Sequence, residues 1–186
     1  MQRIIDSLYS SADLKKKVAD TLSENILEAA NLIKSRIERG GMLILMGNGG
    51  SAADCQHIAA ELVGRFKKER KAMPAIALTV DTSSLTALGN DYGFETIFER
   101  QVEALAREND VVVGISTSGN SENVLRALKK ANTIGSETIG LLGNNGGKIK
   151  DVANLSIIIP SVDTARIQEV HITIGHIICE LIEEDL

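Results

Sequence analysis

A three-layer α/β fold, with helices on both faces of a five-stranded parallel sheet, follows from three features of the 186-residue sequence. Short apolar runs alternate with helical stretches along most of the chain. The runs carry no alternating polar positions, so each strand is buried on both faces, as parallel strands are. A long helical pattern precedes the alternation and forms an N-terminal helical extension. Alternating strands and helices give a doubly wound sheet, whose ligands bind outside the carboxyl ends of the strands. At roughly 150 residues per domain the chain reads as one domain over 1–186, with a helical segment at 1–40 and an α/β core at 41–186.

Taken in order, the first forty residues form a helix, because Leu22, Ile26, Ala29, Ile33 and Ile37 recur at steps of three or four. Lys34, Arg36 and Arg39 then lead into Gly40 and Gly41, a cationic last turn with a glycine stop. Five apolar runs follow at 42–46, 75–79, 111–115, 138–142 and 155–159. The intervening patterns predict helices over 52–66, 84–106 and 122–134, and a last one over 165–184. No proline-rich, repeated or low-complexity stretch divides the chain.

Composition narrows the function classes. The sequence is 44% hydrophobic and 24% charged, enough for a core without disulfides or a structural metal. Only two tyrosines and three phenylalanines are present, tryptophan is absent, and the net charge is -5. That argues against nucleic acid, which wants basic grooves and stacking platforms. The same acidity argues against a polybasic membrane surface. The apolar runs fall short of the roughly 20 residues of a membrane span, and MQRIIDSLYSSADLKKK has no signal-peptide core. Cys55 and Cys179 form no CxxC pair. A soluble protein of a reducing compartment is expected.

Sixteen glycines stand against two prolines, and their placement is informative. The first strand runs into MGNGGSAAD and the third into GISTSGNSEN. Each reads as strand, small polar loop, helix start, and a helix N-terminus accepts anions through its unpaired N–H groups. Ser51 is expected as the N-cap of one helix, with Asp54 as an acidic capping-box partner, and Ser121 as the N-cap of the other. Ser116, Thr117, Ser118 and Ser121 direct four hydroxyls at one small anion, which suits a phosphate monoester. Turns are also built from Gly and Ser without any ligand. Gly47, Gly49 and Ala52 match a dinucleotide fingerprint, but its acidic partner belongs about 20 residues on. The candidate, Asp81, comes 34 residues after Gly47. No GxxxxGK[ST] is present, which excludes a P-loop.

His57 and Glu61 lie four apart on the helix after the first loop and share a face. Gln168, His171 and His176 lie on the last helix, and these helices hold all three histidines of the chain. Imidazoles, a carboxylate and an amide oxygen suit a divalent ion such as zinc. Each residue also has a purely structural reading. Gln168 and His176 are eight apart, about 12 Å along a straight helix. Either Gln168 leans in from the frayed start of the helix or the ligands come from two subunits, and a site shared between subunits is the favoured expectation.

GNGGSAADCQHIAAELVGRF, ALGNDYGFETIFERQ, GISTSGNSENV and ARIQEVHITIGHIICELIE resemble, in family order, the blocks of the sugar isomerase (SIS) domain family. The resemblance covers nearly the full length and is far more specific than the G-x-G pattern. It implies a flavodoxin-like, Rossmann-like SIS domain in a cytoplasmic homotetramer. It implies an aldose–ketose isomerase that converts sedoheptulose 7-phosphate to D-glycero-D-manno-heptose 7-phosphate. That step leads to the ADP- or GDP-heptose of bacterial surface polysaccharides such as lipopolysaccharide. It implies one zinc ion per subunit held by His57, Glu61, Gln168 and His176. Substrate contacts would fall on Asn48, Gly49, Gly50, Ser51, Glu61, Asn90, Asp91, Ser116, Thr117, Ser118, Ser121 and Gln168.

A second member type of the same family is a non-catalytic adaptor that binds the bacterial replication initiator. It lacks the glutamate of the first core helix and the last histidine, and both Glu61 and His176 are present here. A nucleotide-dependent oxidoreductase is a third, more distant reading. Aldose–ketose interconversion through an enediol needs a carboxylate base and an acid near the two oxygens. Glu61 is assigned as the base and His176 as the acid–base partner. His171 and the two cysteines are expected to be structural. Arg65 is open between an anion contact and a solvated position, and Asp91 between a substrate hydroxyl and a helix cap.

Overall fold

The computed structural model describes residues 1–184, so the last two positions expected in the core lie outside it. The chain opens with α1 (Gln2–Glu38), then β1 (Leu43–Gly47), α2 (Gly50–Val63) and β2 (Ala75–Ala77). After these come α3 (Thr82–Tyr92), a 3-10 turn (Phe94–Thr96), α4 (Ile97–Leu105), β3 (Val111–Ser116) and α5 (Glu122–Ile134). The last elements are β4 (Glu137–Leu142), a 3-10 turn (Ile149–Asp151), β5 (Leu155–Ile158) and α6 (Thr164–Glu183). All five strands run parallel in the order β2-β1-β3-β4-β5.

Alternation along each strand sorts the core into two layers. Leu43, Leu45, Val111, Val113 and Ile115 face α1, α2 and α6, packing on Ile26, Ile33, Ile58, Leu62, Ile174 and Ile178. Ile44, Met46 and Val112 face the other way, toward Phe98, Val102, Val124 and Leu128 of α4 and α5. Both faces are thus covered by helices, which is why the strands read as continuous apolar runs.

One element differs from the expectation. The single helix predicted over 84–106 is broken in two, because Gly93 adopts φ +92 and ends α3 before the 3-10 turn and α4 begin. The apolar spacing alone did not reveal the break, since Leu85, Leu88, Ile97, Phe98 and Val102 all still face the same layer. The second strand is also shorter than the run at 75–79.

Two buried ionisable groups tie α6 to its surroundings. His171 is fully buried and its Nε2–H donates to the Leu142 carbonyl at 3.0 Å, joining α6 to the end of β4. Glu183, also buried, accepts the N–H groups of Phe66 at 2.9 Å, Lys67 at 2.8 Å and Lys68 at 3.0 Å. Arg70 pairs with the same carboxylate at 2.8 Å and donates to the carbonyls of Glu61 and Leu62, both at 2.9 Å. The loop between α2 and β2 is therefore knotted to the end of α6.

These groups set the acid limit of the fold. Burial pushes the Glu183 carboxyl up, but the three N–H donors and Arg70 outweigh it and bring its pKa to about 2, against an ordinary 4.5. Burial pushes His171 down to about 4 from 6.5, against the opposing pull of the Leu142 carbonyl. In both cases the unfolded chain binds the proton more readily, so stability falls as pH falls. The His171 contribution is lost between about pH 6.5 and 4 and the Glu183 contribution between about pH 4.5 and 2. Thermal melts across that range are expected to show both losses. Glu183→Gln is expected to cost about 2–4 kcal/mol at neutral pH and to flatten the lower segment.

Candidate active site

The sheet order places β1 and β3 side by side with their crossovers on opposite faces, so the loops after them open at the switch point of the sheet. Asn48 after β1 and Asn123 in the first turn of α5 exchange two side-chain hydrogen bonds, both at 2.9 Å. After β3, the buried Ser116 hydroxyl lies 2.9 Å from that of Ser121 and 3.5 Å from that of Ser118. The Asn120 N–H donates to Ser118 Oγ at 3.1 Å, and the half-buried Thr117 is fixed through its carbonyl by the Asn144 amide at 2.9 Å. Three hydroxyls thus form one cluster at the N-terminus of the thirteen-residue α5.

The capping roles differ from the expectation. Gly49, at φ +57, is the N-cap of α2, and Ser51 already lies inside the first turn with its N–H on the Asn48 carbonyl at 3.0 Å. Only a residue free of a Cβ turns the chain that sharply after Asn48, so the helix starts earlier than the serine. Ser121 is the N-cap of α5 by position, but its hydroxyl bonds Ser116 instead of the helix. Asp81, the late dinucleotide candidate, caps α3 by accepting from Ser84 N–H at 3.0 Å and the Ser84 hydroxyl at 2.7 Å.

The second constellation forms where α2 meets α6. His57 Nε2 faces His176 Nε2 at 2.9 Å and Glu61 Oε1 at 3.1 Å. One ligand atom from each of the three lies within 4.8 Å of the others. Two ring nitrogens and a carboxylate oxygen converging this closely suit a metal ion, because only a shared proton or a cation relieves the repulsion of their lone pairs. The three come from a single chain. Gly175 makes the approach possible: a Cβ there would stand 2.5 Å from Ile58 Cδ1 and 2.7 Å from its Cγ1.

Gln168 sits two turns earlier on α6, and its amide lies directly over Gly50, where a Cβ would overlap it. There it lies beside Asp54, a buried carboxylate of α2 that also feels both imidazoles, His57 and His176. Burial pushes the Asp54 carboxyl up, partly offset by Gln168 and the two rings, and its Oδ2 has no hydrogen-bond partner. Sequence reasoning gave Asp54 only a capping role. Its position three residues before His57 placed it one helical turn away, and that spacing was the available signal.

The remaining candidates divide clearly. Asn90 and Asp91 are exposed at the end of α3 and bonded to each other at 2.8 Å, and Asp91 caps no helix. Arg65 is exposed and pairs with Glu69 at 3.5 Å. Cys55 and Cys179 are buried, and burial pushes both thiols up, that of Cys179 to about 12. Among the described residues no helix is long and apolar enough to cross a membrane.

Residues 8–143 match the model of the SIS domain. A phosphoheptose isomerase from Nitratiruptor is 60% identical over 184 residues, covering 99% of this chain and 98% of its own. The chain belongs to the phosphoheptose isomerase family of SIS-domain proteins. A phosphoheptose isomerase from Aquifex aeolicus is 57% identical, covering 99% of this chain and 96% of its own. The solved phosphoheptose isomerase of Neisseria gonorrhoeae superposes with a TM-score of 0.94 at 43% identity, covering 98% of each chain. This family membership favours the isomerase over the initiator-binding adaptor and the oxidoreductase.

The close packing of α2 on α6 carries a testable consequence. Gly175→Ala is expected to cost about 1–3 kcal/mol through overpacking against Ile58. Occupation of the candidate metal cluster should also weaken relative to wild type, measured by calorimetric titration of divalent ions into the purified protein, because His176 moves away from His57 and Glu61.

Proposed function

We propose that the protein is an aldose–ketose isomerase that converts sedoheptulose 7-phosphate to D-glycero-D-manno-heptose 7-phosphate, for surface-polysaccharide heptose. The observation that carries this reading is the convergence of His57, Glu61 and His176 where α2 meets α6, in a chain that also gathers the Ser116, Ser118 and Ser121 hydroxyls at the carboxyl end of β3. One element holds an anion and the other moves protons. The phosphate is taken by the hydroxyls of Ser116, Thr117, Ser118 and Ser121 with the N-terminus of α5. Asn48, Gly49, Gly50, Ser51, Asn90, Asp91 and Gln168 are assigned to the sugar chain. Anchoring the phosphate orients the reacting carbons at the other end of the open-chain sugar.

Glu61 takes the proton from the carbon next to the carbonyl, and His176 exchanges protons at the two oxygens. His57, Glu61, His176 and Gln168 would hold a zinc ion, which when bound would supply Lewis-acid polarisation of the carbonyl. The three clustered side chains have the donor types and spacing for that ion. Gln168, near the start of α6 with its amide over Gly50, would complete the set. Glu61 serves at any moment as ligand or as base, since a carboxylate bound tightly to a metal is a poor proton acceptor.

The family resemblance supports a single SIS domain over 1–186 and a cytoplasmic homotetramer with active sites at subunit interfaces. Two observations agree with an interface. The cavity beside the first loop, walled by Gly47, Asn48, Thr79 and Phe94, is about 170 Å³, small for a heptose phosphate. The start of α1 exposes Ile4, Leu8 and Tyr9.

A coupled assay with sedoheptulose 7-phosphate, with and without a chelator, tests the reading. Turnover that a chelator abolishes and zinc restores is expected. Phosphosugar binding without turnover in either condition would instead indicate an adaptor. Glu61→Gln is expected to lower kcat about a hundredfold to ten-thousandfold while sugar-phosphate affinity changes little. Full activity in that variant would remove Glu61 from the base role.

A further inference from the structure

The ring of Phe66 stacks on the imidazole of His176, with centroids 5.5 Å apart and planes inclined by 19°. On another side of His176 the His57 ring meets it edge-on, at 5.0 Å and 63°. His176 is therefore packed between two rings, and only one of them belongs to the site described above.

Phe66 lies outside any helix or strand, three residues beyond the end of α2. A loop aromatic would ordinarily be free to leave. Here its own N–H is held by the buried Glu183, together with the next two N–H groups of the loop. Glu183 is seven residues after His176, two turns along the same face of α6. Arg70 completes the knot by pairing with Glu183 and donating to the carbonyl of Glu61 itself. The loop is thus tied to the helix that carries His176 and to the residue assigned as base. A buried carboxylate with three backbone donors and a guanidinium is far more anchoring than holding a surface loop requires.

We propose that Phe66 is a positioning residue for the reaction. Its ring holds the His176 imidazole so that Nε2 stays turned toward His57 and Glu61, and the Glu183–Arg70 pair holds the ring. The role rests on the isomerase reading of the site. Aromatic contact of this kind discriminates between ring orientations without a hydrogen bond, leaving both ring nitrogens of His176 available for chemistry.

Phe66→Leu removes the flat face and keeps an apolar side chain, while Phe66→Tyr keeps the face. Zinc affinity, steady-state kinetics on sedoheptulose 7-phosphate and thermal unfolding are measured for both variants and wild type. The Leu variant is expected to bind zinc about tenfold more weakly. Its kcat should fall about three- to tenfold with KM within about twofold. The Tyr variant should restore both. Wild-type zinc affinity and kcat in a folded Leu variant would overturn the proposal, as would losses that Tyr fails to restore. If the Leu variant does not fold, Phe66→Met replaces it under the same criteria. If wild type does not turn over the sugar phosphate, the isomerase reading fails. Zinc affinity then decides alone whether Phe66 orients His176.

Discussion

The close approach of α2 and α6 is the contact on which the site depends. Both helices lie on one face of the sheet, and Gly175 lets them meet at Ile58 without an intervening side chain. That spacing brings His57 and Glu61 of one helix within hydrogen-bonding distance of His176 of the other, or of each other. It also seats the Gln168 amide over Gly50 and beside Asp54. Small residues at both points exchange core volume for proximity of polar groups. The apolar layer beneath, from Leu62 to Ile182, keeps the helices from separating.

Around this contact the protein uses polar groups in two different ways. Glu183, Arg70 and His171 are buried and bonded mainly to backbone groups, with Arg70 Nε and His171 Nδ1 left unpartnered, and they fasten the loop after α2 and the end of β4 to α6. His57, Glu61 and His176 are more exposed and point at one another. The first set gives rigidity and the second is the set proposed for the chemistry. Asp54 belongs to neither set fully, being buried yet left with one oxygen unpartnered at the edge of the cluster. A rigid frame beneath converging donors is what precise proton transfer requires.

The loop after β3 follows another rule. Parallel strands send all their carboxyl ends to one edge, and the order with β1 beside β3 splays the adjacent crossovers to opposite faces. Ser116 stands at the end of the central β3, so its hydroxyl and those of Ser118 and Ser121 gather there without any cationic side chain among them. The scarcity of lysine and arginine in the loop is consistent with an anion held by helix N–H groups and hydroxyls.

Much of this was legible in the sequence alone. Apolar runs without polar alternation gave the parallel sheet, steps of three and four gave α1, and the two Gly-Ser loops marked the carboxyl edge of β1 and β3. His57 and Glu61 were readable because one helical turn relates them by local geometry. Other features depended on what packs against what. The break at Gly93 preserved the apolar stripe, so periodicity passed over it. Ser51 had the right residue type for a cap, but the turn at Gly49 starts the helix before it. The pairing of His176 with His57 crosses 119 residues, and the seat of Phe66 is set by Glu183, 117 residues away. Local sequence fixes how a segment folds on itself. Which side chains from distant segments meet is decided only when the two helices close on the same face of the sheet.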